Sequence, residues 1–364
     1  MKVVFRVDAS LQIGTGHVMR CLTLADALAA RSVECLFICR AHEGNLIDFI
    51  RDKGYATHAL QVGAAAPKTP SLPSHASWLG ATQTEDIEAC LLILAAQRPD
   101  WLIVDHYALD ANWEQALQPY YRKLLAIDDL ADRPHACDLL LDQTFGRETA
   151  DYRPLVPSNC RVLCGSQYAL LRPEFAAMRP YSLQRRAKPT LRELLITMGG
   201  VDADNATGQV LDSLRACPLP ADIRVTVVMG AMAPWLNEVR KQAQNMPWPT
   251  RVLVGVNNMA QLMADSDLAI GAAGATSWER CCLGLPSVLL VLAQNQSKIA
   301  EGLSNKGAAH LIIGSILKEQ FSIAFKHLDC QTLEGMSDSA AEITDGLGVT
   351  LVIETLLHKD QYAN

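Results

Sequence analysis

No apolar segment of this sequence approaches the roughly 18 consecutive residues that a helix needs to cross a bilayer, so no membrane-spanning helix is expected. No Cys-x-x-Cys pair occurs among the eleven cysteines. Their number is odd, and Cys35, Cys39, Cys281 and Cys282 sit inside apolar runs, which points to buried thiols in a reducing compartment rather than to a disulfide framework. An excess of basic charge is missing too. The formal net charge is -7, whereas a general nucleic-acid binder needs a positive face; a local phosphate site remains open. Neither a Walker loop nor a complete Gly-x-Gly-x-x-Gly fingerprint is present, and no short tandem repeat is visible. The opening run Val3–Val7 is too short and starts too early for a signal peptide. Together these absences fit a cytoplasmic protein with neither nucleic-acid nor membrane partners; the oligomeric state stays open, with a monomer favoured.

What is present is a globular composition, 49% hydrophobic and 20% charged over 364 residues, long enough for two real cores. Short β-rich runs alternate with helical periodicity. In the first half the strands read as Val3–Val7, Glu34–Arg40, Trp101–Asp105, Leu124–Asp128 and Leu139–Asp142. Between them His17–Ala30, Glu43–Lys53 and Glu85–Ala96 carry apolar residues near a 3.6 period. The second half repeats the rhythm, with strands at Leu194–Met198, Arg224–Met229, Arg251–Val256, Leu268–Ile270, Ser287–Leu292 and His310–Ile313. Such alternation implies an α/β fold with parallel sheets covered on both faces. Arg179–Pro189 is basic, contains prolines and lacks apolar periodicity, so it reads as a linker. The expected domains are residues 1–183, 190–336 and a helical tail, 337–364, returning towards the first domain. Proline-rich Ala64–His75 reads as a surface loop.

Two glycine loops carry the chemistry. Ile13-Gly14-Thr15-Gly16-His17 follows the first strand and opens the first long helix. Gly14 and Gly16 let backbone amides approach a ligand, and a helix N-terminus favours negative charge. His17 stands in the first helical turn, where the positive end of the helix dipole disfavours imidazolium. A neutral imidazole at a cleft rim is a competent base near neutral pH. Position alone leaves a second reading, a histidine capping its own helix. The other loop runs from Gly271 to Glu279. Gly274 and Ala275 bare the backbone, the Thr276 and Ser277 hydroxyls add donors for a diphosphate, and Glu279 can accept from both ribose hydroxyls. Here the alternative is a capped helix with a surface glutamate.

Asp105-His106-Tyr107 and Asp128-Asp129 end apolar strands, where ligands gather in open parallel sheets. Arg6, Asp8, Arg20, Asp105, His106 and Tyr107 are the candidate sugar-side contacts. Gly199-Gly200-Val201-Asp202 and Gln294-Asn295-Gln296 follow strands of the second half. Gly199 and Asn295 are candidate nucleotide contacts there, unless both segments are only turns and caps. No His-x-x-x-His or tight ligand cluster is present, so no metal and no cofactor are expected.

At Phe5-Arg6-Val7-Asp8-Ala9-Ser10 and Ile13-Gly14-Thr15-Gly16-His17-Val18-Met19-Arg20-Cys21 the sequence resembles the UDP-2,4-diacetamido-2,4,6-trideoxy-β-L-altropyranose hydrolases of pseudaminic acid biosynthesis. The resemblance continues through Val104–Tyr107, Ile127–Asp129, Gly199–Asp202 and Gly271–Glu279. It implies a GT-B fold, two facing Rossmann-like domains around a central cleft, with UDP held mainly by the C-terminal one. It also implies a histidine base at position 17 and metal-free, inverting attack of water at the anomeric carbon. The residues can support that chemistry. UDP is a good leaving group, so fixed donors at Gly274, Thr276 and Ser277 can replace the general acid that an ordinary glycosidase needs. A GT-B glycosyltransferase, a non-catalytic nucleotide-sugar binding protein and, more distantly, a UDP-sugar 2-epimerase are the rival readings.

Overall fold

The computed structural model describes residues 1–63, 75–313 and 318–357; the loop expected at residues 64–75 falls almost wholly outside them, as does the end of the tail. Two compact units are present, Met1–Leu170 with the helix Gly348–Leu357, and Leu171–Leu347.

The first unit holds a parallel seven-stranded sheet, β1 (Lys2–Val7), β2 (Glu34–Arg40), β3 (Ala56–Leu60), β4 (Trp101–Asp105), β5 (Lys123–Ile127), β6 (Leu139–Asp142) and β7 (Arg161–Cys164), in the order β3-β2-β1-β4-β5-β6-β7. Strand order reverses between β1 and β4, and ligands of open α/β sheets bind outside the strand ends at such a switch point. Period-two alternation divides β1 between two cores. Val3, Phe5 and Val7 pack with Leu24, Leu28, Val352 and Ile353, which brings the helix Gly348–Leu357 onto the helix Gly16–Ala29. Val4 packs with Cys90, Leu94 and Trp113 on the other face. Arg6 faces that way too, and a charge in that core needs a counter-charge.

The second unit repeats the plan with six parallel strands: β8 (Glu193–Thr197), β9 (Arg224–Met229), β10 (Thr250–Val254), β11 (Leu268–Ala272), β12 (Ser287–Leu290) and β13 (Ala309–Ile312). Their order is β10-β9-β8-β11-β12-β13, which reverses between β8 and β11. Val225 and Val227 of β9, Leu194 and Ile196 of β8 and Val210, Leu211 and Leu214 of the helix Ala206–Leu214 build its core.

Three expectations change. The segment read as a linker is helical: Pro173–Arg186 forms one helix with proline at its start and Pro180 inside. Its arginines are not solvated. Arg179 donates to Cys282 O at 2.6 Å and Ala341 O at 2.7 Å, and Arg186 to Leu283 O at 3.0 Å, Ser266 O at 2.7 Å and Met263 O at 2.9 Å. These carbonyls end three helices, where cations are favoured. Residues 171–183 therefore belong with the second unit, not the first. The tail is not one helix but two, Cys330–Ala341 in the second unit and Gly348–Leu357 in the first. Finally, β3 and β7 are unforeseen strands. Both lie at sheet edges, and β3 buries only its last residue, so neither carries a strong apolar signal.

Candidate functional site

In the first unit the switch point gathers charged side chains from β1, β2, β4 and two helices. Arg6 leaves β1 fully enclosed. It donates to Asp8 Oδ1 at 2.6 Å and to both carboxylate oxygens of Asp86, at 3.2 and 2.7 Å. Asp86 also accepts from Arg40 Nη2 at 2.6 Å and Trp113 Nε1 at 3.0 Å. Burial alone would raise the Asp86 carboxyl, but Arg6 and then Arg40 hold it below its ordinary value. This is the counter-charge that β1 requires. Asp8 Oδ1 further accepts from the Arg40 amide at 2.6 Å, while Oδ2 lies 3.3 Å from His106 Nε2 and 3.7 Å from His42 Nε2. His106 Nδ1 accepts from the Ala108 amide at 3.1 Å, so its proton sits on Nε2, facing Asp8. Direct contact of Arg6 with a sugar would require this network to open. Asp86 and Arg40 are partners in this network that sequence reading missed. An aspartate on the apolar side of the helix Gln83–Gln97 was the available signal.

His17 stands at the other side of the same strand ends. Gly14, with φ of +81°, lets the chain turn before the helix, a conformation that costs side-chain-bearing residues more. His17 does not cap its helix: Nδ1 lies 2.6 Å from Asp105 Oδ1, at the end of β4. Burial pushes the Asp105 carboxyl up, but Arg20 and then His17 outweigh it and hold the group far below the carboxylate range. An ionised carboxylate only accepts, so the ring carries its proton on Nδ1. Nε2 is left with no hydrogen bond among the described residues. The side chain is 10% exposed. Tyr107 meets the imidazole edge-on, with centroids 4.7 Å apart, and donates its hydroxyl to Asp129 Oδ2 at 2.9 Å. His75 and Trp78 pack beside Tyr107, at 5.3 and 5.8 Å between centroids. This aromatic wall was also missed, because nothing in the sequence links Trp78 to His17. Arg20 and Asp105 are buried and joined to each other, so they stand behind His17.

In the second unit the loop after β11 presents its backbone. The amides of Gly274, Ala275 and Thr276 make no hydrogen bonds among the described residues, whereas the Ser277 amide donates to Gly274 O at 2.9 Å and is engaged. A Cβ on Gly274 would meet nothing within 4 Å, so the space beside this residue is open. Arg280, fully buried, ties the loop from beneath. It donates to Ala272 O at 2.8 Å, Ser277 Oγ at 2.9 Å and Thr276 Oγ1 at 3.3 Å. Gly271 must be glycine for this, since a Cβ would lie 2.6 Å from Arg280 Nη1 and 2.8 Å from Thr197 O. Arg280 was overlooked because a helical arginine usually reads as solvated.

Glu279 is partly enclosed, 4.0 Å from Arg172 Nη2. Burial pushes its carboxyl up to about 7, with Arg172 and Arg280 partly offsetting this. In the turn after β8, Asp202 caps the helix Ala206–Leu214, accepting from the Ala206 and Thr207 amides at 2.7 and 3.0 Å. Gly199 is exposed in that turn, and half-buried Asn295 sits in the turn Gln294–Gln296. Among the described residues no group of three or more His, Cys, Asp or Glu could hold a metal ion, and no helix is long and apolar enough to cross a membrane.

Residues 193–339 match the glycosyltransferase family 28 C-terminal domain. The structure of Acinetobacter baumannii MurG superposes with a TM-score of 0.70 at 14% identity, covering 98% of this chain and 99% of that one. The spinosyn rhamnosyltransferase SpnG, complexed with spinosyn aglycone, superposes with a TM-score of 0.64 at 19% identity, covering 96% and 99%. With its two parallel-sheet α/β units, the chain is a GT-B protein. Among curated relatives, the Campylobacter jejuni UDP-2,4-diacetamido-2,4,6-trideoxy-β-L-altropyranose hydrolase is 30% identical over 308 residues, 84% of this chain and 97% of that protein. The Bacillus subtilis spore coat polysaccharide biosynthesis protein SpsG is 31% identical over 170 residues, 46% of this chain and 49% of its own. The chain belongs to the UDP-2,4-diacetamido-2,4,6-trideoxy-β-L-altropyranose hydrolase family, whose members process UDP-sugars.

Proposed function

We propose that this protein hydrolyses a UDP-activated 2,4-diacetamido-2,4,6-trideoxyhexose, with His17 as the base that activates water. The observation that carries this reading is the 2.6 Å bond from His17 Nδ1 to Asp105, which fixes the ring so that Nε2, without a hydrogen bond among the described residues, is the nitrogen that can accept a proton. Water loses its proton to Nε2 as it attacks the anomeric carbon, and the bond to UDP breaks with inversion. The leaving diphosphate needs no proton, because its charge spreads over phosphate oxygens. The open amides of Gly274, Ala275 and Thr276 are assigned to it as fixed donors, with the Ser277 hydroxyl behind them. This makes a metal unnecessary for departure of the leaving group. His106 and Tyr107 are assigned to the sugar side, with Asp8 behind His106, and Gly199 and Asn295 to the nucleotide.

Incubation with a panel of UDP-sugars, followed by proton NMR, tests the reaction. Free sugar of inverted anomeric configuration plus UDP is expected without any acceptor. UDP release only when an acceptor alcohol is added would make the protein a glycosyltransferase, and tight binding without turnover would make it a sensor.

Glu279 is assigned to the ribose hydroxyls. They donate to a carboxylate, so UDP binds best to its ionised form. With the free group near 7, UDP affinity should be full above that pH and weaken as pH falls below it. Titration calorimetry from pH 8 to 6 should show this trend, and Glu279→Gln should remove it while weakening binding at pH 8. A variant that binds UDP as tightly as the parent, with the same pH trend, would show that another group is responsible.

A further inference from the structure

Arg20 lies one helical turn after His17, and its guanidinium is fully committed. Nε donates to Asp105 Oδ2 at 2.6 Å, Nη2 to Asp105 Oδ1 at 2.7 Å, and Nη1 to Asp129 Oδ2 at 2.7 Å. Nη2 also stands 3.3 Å from His17 Nδ1. Since that nitrogen carries a proton, the approach is a juxtaposition of two donors on one shared acceptor, Asp105 Oδ1. The side chain is 6% exposed, so it cannot turn to a ligand without abandoning two carboxylates.

A buried carboxylate against an imidazole does two things that conflict in a base. It orients the ring, which helps. It also stabilises imidazolium, the form in which the ring has no lone pair with which to take a proton. A positive charge paired with the same carboxylate, and adjacent to the same ring nitrogen, cancels the second effect and keeps the first. Resting on the assignment of His17 as the base, we propose that Arg20 is a positioning residue that sets the proton affinity of the His17–Asp105 pair, holding the carboxylate in place as acceptor while neutralising its charge.

The other groups around the ring are consistent with this role. From its own helix only Arg20 and Cys21 face the dyad, and the Cys21 thiol donates to Asp105 Oδ2 at 3.5 Å. From the segment after β4 comes Tyr107, whose phenol is kept neutral by burial and then by Asp129. His75 packs on the far side of Tyr107, with burial lowering its proton affinity. Arg133 lies 5.9 Å over the Tyr107 ring, Asp128 adds negative charge beside that phenol and Asp132 acts on His75, but among the described residues the carboxylate bonded to Arg20 besides Asp105 is Asp129. It tempers Arg20 through Oδ2, and its Oδ1 is buried without a hydrogen bond among the described residues.

The test is the pH dependence of kcat/KM for the full chain and for Arg20→Gln, Arg20→Lys and Asp129→Asn, with UDP affinity and a thermal melt for each. Loss of the guanidinium should move the acidic limb of the profile upward by about one pH unit or more, with UDP affinity within a few-fold of the parent. Asp129→Asn should move it downward. Arg20→Lys should keep the limb near its parental position, because the charge remains, while lowering the plateau because the two-pronged grip is lost. An unmoved limb in Arg20→Gln overturns the proposal, whether activity falls at every pH, as for a purely structural residue, or KM rises alone, as for a sugar contact. If Arg20→Gln does not fold, Asp129→Asn decides: a limb that stays or rises overturns the proposal. Failure of the underlying reading looks different, since His17→Ala would then retain turnover and the limb itself would survive in it.

Discussion

His17→Ala should lower kcat for UDP-sugar hydrolysis by about 10²–10⁴-fold, the range expected for losing a general base, while UDP affinity stays within a few-fold. The separation follows from where the groups lie. His17 belongs to the helix that follows β1, whereas the open amides assigned to the diphosphate belong to the loop after β11. No hydrogen bond of the loop is made by His17, so its removal leaves the donors in place. Stopped assays for UDP release, with calorimetry for UDP, check both halves. Parental turnover in the variant would remove His17 from the mechanism; a large loss of UDP affinity would mean that its role is to bind rather than to move a proton.

Asp105→Asn should lower kcat by about 10²-fold or more, with KM changed only a few-fold. The carboxylate has four donors to satisfy: His17 Nδ1, Arg20 Nη2, Arg20 Nε and, at 3.5 Å, the Cys21 thiol. An amide offers one accepting oxygen and one donating nitrogen. If its oxygen serves Arg20, its N–H group confronts His17 Nδ1 and drives the ring proton to Nε2, where the base needs a lone pair. If its oxygen serves His17, Arg20 faces a donor instead. Either outcome loses the orientation. A thermal melt accompanies the kinetics, because Arg20 would keep only Asp129 as a full ionic partner. A folded Asp105→Asn variant turning over at the parental rate would show that the dyad is dispensable.

The fold was largely legible in the sequence because buried parallel strands are continuous apolar runs, and Val3–Val7, Trp101–Asp105 and Leu268–Ile270 are all of that kind. What escaped were edge strands and the helix Pro173–Arg186. Its prolines and arginines mimic a linker, until their contacts with the carbonyls of three other helix ends are seen. His17, Gly274 and Glu279 could be picked out because glycine loops between strand and helix announce open amides. Arg40, Trp78, Asp86 and Arg280 could not, since each matters only through a partner distant in the chain.

The sequence by itself determined the two α/β units and the two glycine loops that join strand to helix, because periodicity and glycine placement act over a few neighbouring residues; the strand orders and their switch points came from the fold. Only the tertiary structure decided what those residues are to one another. It turned His17 away from its own helix towards Asp105, and it made Arg20 a partner of that carboxylate rather than a free cation. The physical reason is that charges buried at strand ends must be neutralised by whatever the fold brings near. Proximity between residues 20, 105 and 129 is a property of parallel pairing, not of spacing along the chain.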